Sequence, residues 1–302
     1  GASASGGSYK VSVILKTLAA EYWQYVKSGA EDYASEHSDK VTVEVKGPSS
    51  ETAFDEMQNM IETDLSSGSY DGVIISPLQS DTAAQLVSGT KLPIVAIDTN
   101  FEAPEVKSFV GTGNETAAKK GGEAAVEAAK AAGWTDIKCI EIAGVQGDQT
   151  NTARMNGYKA GVEEAGGTFL SDEVQYADAT ADRATTAMEA IMQTHPEGIA
   201  IICANNDDMA MAAARAAQGH DAYKNTIFLG FNGDRAACEA ILAGQMTMSV
   251  AQMAYEMGYK AVETMVQVLD GETVDEFVDS GSDVVTPDNA QERLDTLKTQ
   301  LH

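Results

Sequence analysis

The chain has 302 residues, 43% of them hydrophobic, and its 20 Lys and Arg stand against 46 Asp and Glu for a formal net charge of −26. That length is enough for a sizeable buried core and, at about 150 residues per domain, suits two lobes. The charge repels nucleic-acid phosphates and anionic lipid headgroups, and no apolar run approaches the roughly 20 residues that cross a bilayer.

Residues 1–8, GASASGGS, have the composition of a flexible leader. They fit the segment that follows a removed export signal or a lipid-bearing cysteine, and equally an expression remnant. From Lys10 to Trp23 the chain then sets out its organising stretch, KVSVILKTLAAEYW. VSVIL (11–15) reads as a strand stopped by Lys16, a loop covers 17–20, and Tyr22 and Trp23 open a helix over 21–36. In a parallel α/β sheet ligands sit at the carboxyl ends of the strands. A lysine and two aromatic rings placed there make a hydrogen-bonding head beside a stacking wall, a pairing that suits a sugar ring better than a phosphate.

Further strands are read at VTVEV (41–45), GVIIS (72–76) and PIVAID (93–98), separated by amphipathic stretches over 51–65 and 81–87. After KSFVGTGN (107–114) the pattern restarts with a helix over 115–132, a strand over 137–144, a helix over 152–165, a strand over 169–176 and a helix over 183–193. It continues with a strand over 198–205, a helix over 207–218, a strand over 226–233, a short helix over 235–242, a strand over 246–252 and a long helix over 255–269. Val284 and Val285 suggest a last strand stopped by Pro287, and 291–301 a surface helix with apolar Leu294, Leu297 and Leu301. Repeated βα units of this spacing need right-handed crossovers and give a parallel sheet covered on both faces. The two halves rhyme, GVIISP with GIAIIC and PIVAIDTN with TIFLGFNG. The predicted fold is therefore α/β, with two similar doubly wound parallel-sheet lobes and a ligand between them.

Several chemistries lack their motifs. There is no GxxxxGK[ST] phosphate cradle and no GxSxG elbow, and the Gly111-Thr112-Gly113 start of a dinucleotide fingerprint has Thr116 where its third glycine belongs. The histidines (His37, His195, His220, His302) stand in polar surroundings without a ligand-spaced acid or cysteine, and read as solvated. Cys139, Cys203 and Cys238 form neither a zinc pattern nor an even disulfide framework and read as buried core. Asp207-Asp208 precedes an Ala- and Met-rich helix whose first turn such acids cap. No cofactor, metal or catalytic residue is expected, and an enzyme is the last of the function classes for want of a nucleophile–base pair.

The motifs VILKTLAAEYW, GVIISPL, IVAIDTN, FVGTGN, TARMNG, CANNDDMAMAAARA, LGFNGD and GQMTMSVAQ together resemble the type I periplasmic sugar-binding proteins of ABC transporters, the ribose, allose and galactose group, from Tyr9 to about Val285. The KTL followed by two aromatics is most similar to the allose branch. The resemblance implies a monosaccharide or polyol clamped between lobes and delivered to an ABC permease by a monomer outside the cytoplasm, free in the periplasm or lipid-anchored. It implies an N-terminal lobe of 9–112 plus 253–280 and a C-terminal lobe of 113–252 plus 281–302, joined by a three-segment hinge near 112, 252 and 280.

Matched residue by residue, it implies stacking by Tyr22 and Trp23, although rings at a helix start also suit core packing. Lys16 and Asp98 would bind hydroxyls, with a turn cap as the alternative for Asp98. Thr112 would contribute beside the hinge. On the other lobe Arg154, unless simply solvated, would donate its fork to the ring, with Asn206, Asn232 and Gln252 completing the net. Two departures alter the ligand: Asn232 stands where the family has aspartate, and ADATADR (177–183) offers Ala179 and Thr180 in place of an aromatic. The long loop GVQGDQTNTAR puts Asp148 and Gln149 forward as replacement contacts. A signalling receptor for a furanose-like molecule, or for a chemoreceptor, is the alternative function. A sugar-sensing repressor of similar lobes would carry a helix-turn-helix and a basic face.

Overall fold

Val11, Val13 and Ile14 expose no surface, nor do Val73, Ile74 and Ile75 or the four residues Ile94–Ile97. Runs that are apolar on both sides form strands where both faces of a sheet are covered, which is the parallel α/β arrangement. In the computed structural model, which describes residues 8–301, they do so. Of the leader expected over 1–8, only Ser8 falls within the described residues.

The first sheet contains β1 (Tyr9–Ile14), β2 (Val41–Lys46), β3 (Gly72–Ile75), β4 (Ile94–Ile97) and β5 (Val106–Gly111), side by side in the order β2-β1-β3-β4-β5 and all parallel. Helices α1 (Glu21–Glu36), α2 (Phe54–Ser66) and α3 (Ser80–Val87) make the crossovers. The second sheet contains β6 (Lys138–Ala143), β7 (Thr168–Phe169), β9 (Ile201–Ala204), β10 (Ile227–Asn232) and β11 (Met248–Gln252), ordered β7-β6-β9-β10-β11, with β8 (Gln175–Tyr176) also paired to β6. Its helices are α4 (Asn114–Ala131), α5 (Gln149–Glu164), α6 (Ala181–Thr194), α7 (Asp207–Ala217) and α8 (Arg235–Leu242). Both sheets have the doubly wound order 2-1-3-4-5, which opens a crevice at the carboxyl ends where the winding reverses. Those switch points are β1/β3 and β6/β9.

The chain then returns through α9 (Ala254–Leu269) to β12 (Phe277–Asp279), which extends the first sheet in parallel beyond β5. It ends with β13 (Ser282–Val285), antiparallel to β11, and α10 (Ala290–Gln300). One compact unit accordingly holds the described residues up to Thr112, Met253–Gly281 and the described residues from Thr299 on, and the other Gly113–Gln252 and Ser282–Lys298. In each, a helix pair closes tightly on glycine. A Cβ on Gly258 of α9 would stand 2.0 Å from the Val26 carbonyl oxygen of α1, and one on Gly161 of α5 would stand 2.2 Å from that of Lys119 on α4.

The expected strand over 169–176 is corrected: β7 and β8 are separate, with a turn of 3-10 helix at Ser171–Glu173 between them. Ser171 and Asp172 are exposed, so this polar insert has no apolar side to hold in the sheet. The three-residue β12 was not read from the sequence at all, because it becomes a strand only by pairing at the sheet edge.

The second sheet divides its side chains between two cores. Ile140, Ile142, Ile202 and Ala204 face α6, α7 and α8, while Cys139, Cys203, Leu229 and Phe231 face α4 and α5. By the same alternation Glu141 faces α4 and α5. It exposes no surface, neither carboxylate oxygen has a hydrogen-bond partner, and burial pushes its pKa up to about 8. All three cysteines are buried and free, with the Cys139 and Cys203 sulfurs 3.4 Å apart.

Candidate functional site

In the first unit the polar residues gather at the exits of β1 and β4. Lys16 follows the fully buried Leu15. Asp98, directly after β4, adopts φ +66°, a left-handed conformation that Asp tolerates better than most residues. There its Oδ1 accepts the Tyr22 hydroxyl at 2.7 Å and its Oδ2 the Thr99 hydroxyl at 3.0 Å, with the Lys16 Nζ 3.8 Å away. The Lys16 and Asp98 side chains are 21% and 16% exposed, so their attraction is less screened than that of an open surface pair. Side chains therefore hold this carboxylate in place. Tyr22 meets Trp23 edge-on at 4.9 Å between centroids. Trp23 is only 4% exposed, whereas Tyr22 is half-buried and turns its hydroxyl to Asp98. Thr112 follows β5 and is buried.

In the second unit Arg154 rises from α5 and is far from solvated. Its Nε donates to Asn114 Oδ1 at 3.0 Å and its Nη1 to the Asn205 carbonyl at 2.7 Å, and the guanidinium lies 3.8 Å from the Phe231 ring centre. Planar stacking on an aromatic ring is a geometry that guanidinium adopts and ammonium does not. At the exit of β10, Asn232 takes φ +134° and its Oδ1 accepts from Gln252 Nε2 at 2.7 Å. Gln252, ending β11, is buried, and its carbonyl accepts from Arg293 of α10 at 3.1 Å.

Asn206 follows β9 and caps α7, its Oδ1 accepting from the Met209 amide at 2.8 Å, while its Nδ2 donates to the Ala179 carbonyl at 3.1 Å. This corrects the expectation for the acidic pair. Asp207 is already helical and fully buried, accepting from the Ser249 hydroxyl at 2.6 Å and from the amides of Gly233 and Asp234 at 2.9 and 3.1 Å. It braces the exit of β10 against the start of β11. Asp148 caps α5 through the Asn151 amide at 3.2 Å, and Gln149 is exposed beside it. In the loop without its aromatic, Asp178 and Ala179 are both left-handed and Thr180 caps α6.

Two of the histidines read as solvated are corrected too, whereas His220 is exposed and His302 lies outside the described residues. The His195 side chain is 15% exposed and set between carboxylates, Nε2 at 2.6 Å from Glu173 and Nδ1 at 3.0 Å from Glu197. The hydrogen bond to Glu173 above all holds its pKa above the ordinary histidine value. His37 stacks on Tyr33 at 4.0 Å. Among the described residues, no cluster of three or more His, Cys, Asp or Glu is arranged to hold a metal.

The structure thus groups Lys16, Tyr22 and Asp98 in one unit, and in the other Arg154 with the exit of β9 and Asn232 with Gln252. Asp98, just past β4, and Asn232, the last residue of β10, both stand at the end of the fourth strand of a 2-1-3-4-5 sheet, and both have positive φ. Sequence reasoning missed Thr99, Asn114, Asn151, Asn205 and Arg293. The Asn205-Asn206 doublet was visible, but which asparagine faces which neighbour was not.

The chain matches the family described as periplasmic binding protein domain over residues 11–273. It is 29% identical over 265 residues to the D-allose-binding periplasmic protein of Escherichia coli, covering 84% of this chain and 83% of that one. It is 26% identical over 274 residues to a ribose import binding protein of Bacillus subtilis, covering 89% and 85%. The solved periplasmic ribose ABC transporter protein of Conexibacter woesei shares the fold at a TM-score of 0.83 and 20% identity, with all of both chains covered.

Proposed function

This chain belongs to the periplasmic binding protein domain family, and we propose that it captures a monosaccharide or sugar-like polyol and delivers it to an ABC permease. It is an extracytoplasmic solute-binding protein and not an enzyme. The relatives named for D-allose and ribose support a sugar as the ligand, and the import role in one of those names supports a transporter as the partner. They lend the signalling alternative no support.

The observation that carries the reading is the Asp98 cluster. A left-handed carboxylate, half-buried between a tyrosine hydroxyl, a threonine hydroxyl and a lysine, is an acceptor already oriented for the hydroxyls of a neutral ligand. Hydrogen bonds to a charged acceptor contribute about 1.5 to 3 kcal/mol each, enough to separate epimers. Arg154, Asn206, Asn232 and Gln252 are the sugar-binding residues we propose for the second unit, and Thr112 stands beside the chain crossing. Gln149 is exposed at the start of α5 and would join only through the loop before it. In our reading Trp23 backs Tyr22 rather than meeting the sugar. The protein acts as a monomer and closes by bending where the chain crosses between units, near 112, 252 and 280.

Thermal melts with D-allose, D-ribose, other pentoses and hexoses, and polyols test this. A ligand at 100 times its dissociation constant adds about 2.7 kcal/mol, and Asp98→Asn should weaken binding about tenfold or more while leaving the ligand-free melt nearly unchanged. Flat melts across the panel would refute the sugar reading.

A further inference from the structure

Asn151 and Asn205 face each other at the switch point of the second sheet, between the exits of β6 and β9, and both are only 4% exposed. The Gly144 amide donates to Asn151 Oδ1 at 2.7 Å. A backbone N–H needs an acceptor, so this bond fixes which end of the Asn151 amide is the oxygen. The same oxygen also receives Asn205 Nδ2 at 2.5 Å, which fixes the second amide in turn. The Asn205 main-chain carbonyl, meanwhile, accepts Arg154 Nη1 at 2.7 Å. Asn151 and Arg154 are three residues apart and so lie on one face of α5. One residue at the exit of β9 therefore holds both the first turn of that helix and its arginine, and the next residue along is Asn206.

We propose that Asn205 and Asn151 form a directional amide latch and are positioning residues for ligand binding, setting Arg154 and Asn206 in the geometry that receives the sugar. The inference rests on the reading of Arg154 as a ligand residue. The latch carries a cost that stability alone does not explain. Asn205 Oδ1 is buried with no hydrogen-bond partner, whereas an apolar side chain of the same size would leave no such atom. A half-satisfied buried amide retained beside a binding residue marks a functional constraint.

The test separates affinity from stability. Asn205→Leu removes the unpartnered oxygen and the donor together, so the ligand-free melting temperature should hold or rise while the affinity for D-allose or D-ribose by calorimetry falls about tenfold. Asn151→Leu should lose affinity and stability together. Asn151→Asp, which keeps an acceptor for both bonds, should stay within about threefold of the parent. Without any sugar, hydrogen exchange at the Gly144 amide should quicken in Asn205→Leu and Asn151→Leu and stay slow in Asn151→Asp. If the parent binds neither sugar, the choice of ligand is wrong and exchange at Gly144 still decides the latch. Unchanged exchange in Asn205→Leu, or a fall in its affinity matched by an equal fall in stability, overturns the proposal.

Discussion

Replacing Glu141 by Gln should stabilise the protein in a way that depends on pH. The carboxyl lies in the middle of β6 with no exposed surface and no partner, and burial raises its pKa from 4.5 to about 8. Below pH 4.5 both the folded and the unfolded chain hold the proton, and the side chain has no pH-dependent effect. Between 4.5 and 8 the folded state keeps a proton that the unfolded state releases, so stability falls with rising pH by about 1.4 kcal/mol per unit. Above 8 both forms are ionised and the whole loss is in place, about 5 kcal/mol for a shift of this size. Glutamine keeps the shape and does not titrate. Urea unfolding of the parent and of Glu141→Gln at pH 5, 6.5 and 8 should therefore give a stability gap that widens steadily with pH. Groups common to both chains cancel in that difference. Parallel curves, with the same gap at pH 5 and at pH 8, would mean that Glu141 is ionised or solvated in the folded state and would refute the reasoning.

Further predictions concern other sites. His195, held between Glu173 and Glu197 with a raised pKa, contributes stability that is complete below its unfolded value near 6.5 and disappears as pH rises through the folded value. In thermal melts His195→Gln should thus lie furthest below the parent at pH 6, and the gap should close as pH rises. Gly258→Ala forces a methyl group against the Val26 carbonyl, and the parting of α1 from α9 should cost about 2 kcal/mol or more in urea unfolding. At Asn232, Gly accepts the left-handed φ while Val does not, so Asn232→Val should be less stable than Asn232→Gly by about 1 to 3 kcal/mol. Equal stabilities would show that the backbone there is not strained.

The fold was legible because its strands are buried on both faces. Four-residue runs such as Ile94–Ile97 declare themselves by composition alone, and the restart after 107–114 announced the second sheet. Elements without that signature were misread or missed. The stretch 169–176 has apolar ends but a Ser-Asp-Glu middle that turns outward, and β12 is a three-residue strand ending in Asp279 on a sheet edge. In the candidate site, the family motifs pointed to Asp98, Arg154 and Asn232, the first of them at the end of an apolar run. It could not show that Asp98 and Asn232 are left-handed, or that Asn206 rather than Asp207 caps α7.

What the sequence determined by itself was the alternation of apolar strand and amphipathic helix, hence a doubly wound sheet repeated twice and polar residues at the ends of its strands. Those properties are local, since they follow from periodicity and from which residues tolerate burial. Only the tertiary structure decided which polar atoms are partners. Asp207 reaches Ser249, Asn205 reaches Asn151, and His195 reaches Glu173, because the winding of the chain brings distant segments to within about 3 Å of one another. Hydrogen bonds that short depend on direction and register in three dimensions, which no spacing along the chain encodes.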